Sequence, residues 1–233
     1  IAEYTTDITQ LTCNDIGAAQ VIVTAIDASG NTGTCAVTVT VEDTMPPNAL
    51  CQDIIVEIDM WGNDVTIDPH DVDGGSTDNC GITGWLVDRD TFGCADLGDN
   101  QIVLTVGDLS GNASTCTATV TVVDWVAPYV FVYTTQGLWL DDNDVAVLPD
   151  YTHVTQVWDN CDPNPVLSQV PPPGTIVTGA AVIVTIEATD ASGNVGMGWF
   201  DVRLRENTPP ELTCPDDQEL LLNADCEVEI PDY

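Results

Sequence analysis

The side chains in this sequence that can do chemistry are overwhelmingly carboxylates. Its 233 residues hold 38 Asp and Glu against three arginines (Arg89, Arg203 and Arg205), no lysine and two histidines, for a formal charge of -35. Oxygen-only side chains in this number suit the binding of a hard divalent cation, because calcium takes six to eight oxygens from carboxylates, carbonyls and water. A folded surface this acidic repels itself, and bound cations are one remedy. The ordinary alternative is a solvated acidic face. The same charge excludes nucleic acid as a partner, since a binder must supply cations to displace phosphate counterions. Anionic membrane surfaces are excluded by the same argument, and no apolar run is long enough to cross a bilayer, so no membrane insertion is expected of this segment.

Nine cysteines in a Thr- and Val-rich chain read as a disulfide framework, and hence as an oxidising compartment. They form no C-x-x-C pair, and His70 and His153 stand far apart, which leaves zinc without a ligand set. Catalysis has no better support. No G-x-S-x-G elbow occurs, and neither histidine recurs at the matched position one period away, so the chain is not read as an enzyme.

What positions these residues is an internal repeat. Asp-x-Ser-Gly-Asn begins at Asp27, Asp108 and Asp190, Asp-Asn-Cys begins at Asp78 and Asp159, and an acidic linker ends at Pro47, Pro128 and Pro210. All three markers share one period of 81 or 82 residues. The prolines divide the chain into the back part of a first repeat (1–47), complete repeats at 48–128 and 129–210, and the front part of a fourth (211–233). With no starting Met and no signal-type segment, the sequence reads as a piece of something longer.

Within the second repeat, period-two alternation and turn chemistry place strands at 51–58, 65–67, 82–87, 101–106 and 115–123. In the last of these, Cys116, Ala118, Val120 and Val122 point inward while Thr117, Thr119 and Thr121 point out. Short strands without a credible helix, about seven per repeat, predict an all-β fold of tandem immunoglobulin-like antiparallel β-sandwiches. The first and last strands begin at the same end of such a sandwich, which pairs Cys51 with Cys116. The third repeat loses both positions together, as a bonded pair requires. Cys80 is then expected to pair with Cys94, and Cys13, Cys35, Cys214 and Cys226 to find partners outside the segment or in a neighbouring chain. Trp85 is expected in the core beside a disulfide.

The same topology gathers the linker, the loop after the second strand and the last hairpin at one end. Asp43, Asp71, Asp73, Asp78 and Asp108 are therefore expected to converge on one calcium site, and Asp124, Asp150, Asp159 and Asp190 on a second. The competing reading is plain hairpin chemistry, in which Asp opens the turn and Gly accepts a positive φ. Asn112-Ala113-Ser114 also forms an N-glycosylation sequon.

The stretch from PPNALC through DVDGGSTDNCG and FGC to LTVGDLSGNASTCTATVTVVD resembles the hyalin repeat (HYR) family, and most of all its bacterial form in long arrays on surface adhesins of gliding bacteria. That resemblance implies an immunoglobulin-like fold, extracellular display at the cell surface, export by a dedicated secretion system, and a role in adhesion or filament building without catalysis. In that setting Asp43-Thr44-Met45 makes Thr44 a candidate O-glycosylation acceptor. The expected function is a structural segment of an extracellular filament or adhesin stalk, stiffened by calcium between repeats and by disulfides within them. Its partners are further repeats of the chain or neighbouring copies. The alternative is a module that binds surface glycans or proteins.

Overall fold

The computed structural model describes residues 1–132, 135–206, 219–220 and 223–227. Pro210, Cys214 and most of the expected fourth repeat lie outside the described residues. The strands in chain order are β1 (Glu3–Thr6), β2 (Gly17–Ile26), β3 (Thr32–Val41), β4 (Ile54–Glu57), β5 (Val65–Thr66), β6 (Ile82–Val87), β7 (Thr91–Phe92), β8 (Gly98–Asp108) and β9 (Ala113–Val123). They continue as β10 (Tyr129–Val132), β11 (Gln136–Trp139), β12 (Ala146–Val147), β13 (Thr155–Trp158), β14 (Val166–Val170), β15 (Ile176–Val177), β16 (Ala181–Thr189) and β17 (Val195–Arg205). Among the described residues the only helices are single 3-10 turns, so the fold is all-β.

The chain forms two compact units, the first made of Ile1–Pro128, Trp158–Pro165 and Thr189–Val195, the second of Tyr129–Val157, Val166–Ala188 and Gly196–Tyr233. In the first unit a sheet in the order β4-β9-β8-β6 packs with the β5-β7 pair. Leu104, Val106, Val120 and Phe92 are wholly buried between them. The alternation in β9 carries this arrangement: Ala118, Val120 and Val122 are buried, Cys116 is half-buried, and the intervening threonines stay more open. The antiparallel expectation holds for β8–β9 and β6–β8, whereas β4 pairs with β9 in parallel, Ile54 opposite Val120. Both strands leave the same end of the sandwich, and this shared direction sets Cys51 against Cys116. Ahead of this sandwich, β1, β2 and β3 form a three-stranded sheet in which only Val21 is buried.

The second unit repeats the plan, with β11-β17-β16-β14 as its main sheet and β10-β13 and β12-β15 as pairs. Its core holds Leu148, Val184, Ile186 and Val202, with Phe200 edge-on to Tyr151 at 5.3 Å. Gly198 takes the position of Cys116. A Cβ there would come within 2.8 Å of Val132 Cγ2 and 2.9 Å of Val130 Cγ1, so valine side chains fill the space a disulfide occupies in the first unit.

Candidate metal centres

Two clusters of carboxylates form in the first unit, and they are built alike. Asp43, Asp78 and Asp108 bring ligand oxygens within 4.8 Å of one another, and so do Asp124, Asp159 and Asp190. Each takes one residue from a linker, one from an Asp-Asn-Cys loop and one from the first position of an Asp-x-Ser-Gly-Asn hairpin.

The hairpin aspartates are fixed by the turn they open. Asn112 donates its backbone N–H to Asp108 Oδ1 and its side-chain amide to Asp108 Oδ2, both at 2.8 Å. Asp190 and Asn194 repeat this at 2.7 and 2.8 Å. The Asn112 amide also lies 3.1 Å from the Asp43 carbonyl and 3.4 Å from that of Met45, and the Asn194 amide 3.1 and 3.3 Å from those of Asp124 and Val126. Two amide hydrogens thus serve three acceptors and tie each linker to its hairpin. The Asn112 nitrogen, acceptor atom of the sequon, is committed to these bonds. Burial opposes the charge of Asp108, but the Asn112 side chain and the turn's N–H groups hold its carboxyl below the usual value of 3.8.

The other four carboxylates each use one oxygen locally and leave one bare. Asp78 Oδ1 accepts from the N–H of Cys80 and Gly81, Asp159 Oδ1 from Cys161 and Asp162, Asp43 Oδ1 from Met45 N and Asn79 Nδ2, and Asp124 Oδ1 from Val126 N and Asn160 Nδ2. The Oδ2 atoms of Asp43, Asp78, Asp124 and Asp159 are buried without a partner, as is Asn160 Oδ1. Asp124 and Asp159 are only 5% and 8% exposed. Unpaired buried carboxylate oxygens are costly. Unit charges 4.8 Å apart repel by on the order of 3 kcal/mol per pair at an effective dielectric of about 20. A hard cation answers both costs, and the donors fit one: hard oxygens, no sulfur, no imidazole.

Three of the nine expected ligands are elsewhere. Asp71 caps a 3-10 turn by accepting from Asp68 N, Asp150 accepts from the N–H and hydroxyl of Thr152, and Asp73 accepts from Ser76 and from Trp85 Nε1. Trp85 is half-buried on the core, its ring 4.4 Å from that of His70. Thr44 is exposed beside Asp43. Sequence reasoning missed Asn79, Asn160, Asn112 and Asn194, although each sits inside a motif that repeats.

The disulfides also correct an expectation. Cys51 is bonded to Cys116, but Cys80 is bonded to Cys13 rather than Cys94, and Cys94 is bonded to Cys161. Cys80 and Cys94 belong to different parts of the sandwich, the loop before β6 and the turn before β8, and each faces the matching element one period away. The loops they close, 13–80, 51–116 and 94–161, overlap in series. Among the described residues Cys35 and Cys226 are unbonded and exposed.

The fold and the clusters define a class, disulfide-linked β-sandwich repeats with buried carboxylate triads. The chain is similar to hyalin of Strongylocentrotus purpuratus, at 30% identity in an alignment 216 residues long that covers 85% of this chain and 17% of hyalin. It therefore spans a small fraction of that relative. No protein-family model matches it. Among solved structures it is similar to protocadherin gamma C5 EC1-3 (TM-score 0.40, 12% identity, 82% of this chain and 78% of that one) and to Sidekick-1 immunoglobulin domains 1-4 (TM-score 0.36, 13% identity, 84% and 60%).

Proposed function

We propose that this chain is a structural segment of an extracellular filament or cell-surface adhesin stalk, built from repeats divided near Pro47, Pro128 and Pro210. Calcium held by the two carboxylate triads pins each acidic linker to the loops of the repeat that follows. The observation that carries this reading is the set of buried carboxylate oxygens without partners, one on the linker and one on the Asp-Asn-Cys loop in each triad. The likeness to hyalin and the three disulfides support display outside the cell, where thiols are oxidised. The partners on this reading are further repeats or neighbouring copies, and exposed Thr44 is the proposed O-glycan acceptor, to be tested by mass spectrometry of native material. Electron micrographs of native material should show beads at regular spacing along a fibre. Dispersed single globules would count against the filament.

One observation favours a second reading, a binding module. Trp61 and Trp158 are exposed with ring centroids 6.4 Å apart, a pairing able to stack on a sugar face. A glycan array would detect this, and signal lost in Trp61→Ala would assign it to the pair.

A further inference from the structure

We propose that each cation site is coupled to the disulfide beside it, so that reducing Cys94–Cys161 or Cys13–Cys80 weakens cation binding and a bound cation resists that reduction. This rests on the reading of the triads as cation sites.

The coupling lies in three consecutive residues. Asp159 gives one oxygen to the N–H groups of Cys161 (3.0 Å) and Asp162 (2.7 Å), which leaves Oδ2 for the cation. Asn160 donates its amide to Asp124 Oδ1 at 3.0 Å and to the Asp59 carbonyl at 3.2 Å, so the Asp-Asn-Cys loop grips the linker ligand as well. These two acceptors fix which end of the amide is nitrogen and leave Oδ1 buried and unpartnered, a neutral oxygen that a cation beside Asp159 could use. Cys161 then anchors the loop to Cys94, whose sulfur lies 3.5 Å from the Asn160 carbonyl oxygen. Cys94 is itself held firmly, because Asp96 caps its 3-10 turn through the Gly93 N–H and pairs with Arg89. The other site repeats the three links to the Asp-Asn-Cys loop, although Asn79 is exposed and, among the described residues, lacks the second carbonyl contact that Asn160 makes. Asp78 accepts from Cys80 N at 3.2 Å, Asn79 donates to Asp43 Oδ1 at 3.1 Å, and Cys13 Sγ lies 3.5 Å from the Asn79 carbonyl oxygen.

Three carboxylates within 4.8 Å push this loop away whenever the cation is absent. The disulfide stops it leaving, so the oxidised site is preorganised, whereas after reduction the cation must also order the loop. Reduction proceeds by thiol–disulfide exchange: a thiolate of a small dithiol attacks one sulfur, and its second thiol releases the other. The products are two protein thiols and the oxidised, cyclic reductant. Linkage is reciprocal, so the factor by which reduction lowers affinity is the factor by which saturating cation lowers the equilibrium constant for reduction. Cys51–Cys116 has no triad residue beside it and serves as the control.

Calcium titration of the full chain tests this by calorimetry. Oxidised protein should bind at two sites. Cys94→Ser with Cys161→Ser should weaken one site by roughly tenfold or more, in the range seen when groups supporting metal ligands are lost. That variant should leave the other site alone, and Cys51→Ser with Cys116→Ser should change neither. As a check that needs no variant, the fraction of Cys94 and Cys161 that is alkylated at a fixed dithiol ratio should fall when calcium is added. Equal affinity in the Cys94/Cys161 variant, or alkylation indifferent to calcium, overturns the coupling. If oxidised protein binds no calcium at all, the cation sites themselves are refuted.

Discussion

Asp159 shows how one carboxylate serves two purposes in these turns: Oδ1 closes the loop through two N–H groups while Oδ2 is left bare in the triad. Asp159→Asn keeps the first role and removes the charge. In chelator the variant should melt higher than the parent, because repulsion is relieved, and in calcium it should gain less, because a ligand is lost; differential scanning fluorimetry reads both signs. The aspartates that sequence spacing wrongly placed with it, Asp71, Asp73 and Asp150, lie in loops where 3-10 turns and a nearby Ser and Trp consume their oxygens. Spacing alone does not say which of two neighbouring carboxylates caps a turn and which faces a cavity. Asp141 illustrates the capping use: the N–H groups of Val145 and Asn143 hold its carboxyl below 3.8. A depressed folded value contributes stability above the unfolded value, and that stability is lost as pH falls through the folded one. Asp141→Asn keeps the acceptor oxygen but cannot ionise. The gap between parent and variant in urea unfolding, present at pH 7, should therefore close as pH drops below 3.8.

At the scale of strands, β9 and β17 show two solutions to one packing problem. The first unit places half-buried Ala49 and the Cys51–Cys116 bond where the second places Val130, Val132 and Gly198. Gly198→Ala should destabilise the second unit by about 1–3 kcal/mol through overpacking. Adding Val130→Ala should recover part of that, since it removes one of the two valines in the way; chemical denaturation of the single and double variants measures the coupling. The hairpins, the inward faces and the joint loss of Cys51 and Cys116 in the third repeat were all legible, because alternation and turn residues are local signals. The disulfides flanking the triads were missed through the assumption that a repeat closes on itself. A readable signal existed: Cys13 to Cys80 and Cys94 to Cys161 have the same separation, 67 residues. The third repeat also keeps Cys161 while having Thr175 near the place of Cys94. Parallel pairing of β4 with β9 left no comparable mark, since direction within a sheet follows from connectivity rather than from any residue.

For the molecule as a whole, a formal charge of -35 with three arginines makes cations part of the energetics of the folded state. The three disulfides hold the first unit together by closing loops in series, each worth about 4 kcal/mol in a loop-entropy account, with overlap making the sum smaller. Monovalent salt should raise the melting temperature modestly by screening. Calcium at about a hundred times its dissociation constant should add about 2.7 kcal/mol per site, a rise on the order of 5–10 °C for a unit of this size. Calcium titration of the intact oxidised chain at constant ionic strength, followed by calorimetry and by melting temperature, tests the central claim most directly. The account predicts two bound ions per chain and a rise that chelator reverses and magnesium at equal concentration does not match. Absence of binding, with melting temperatures identical in calcium and chelator, would contradict it.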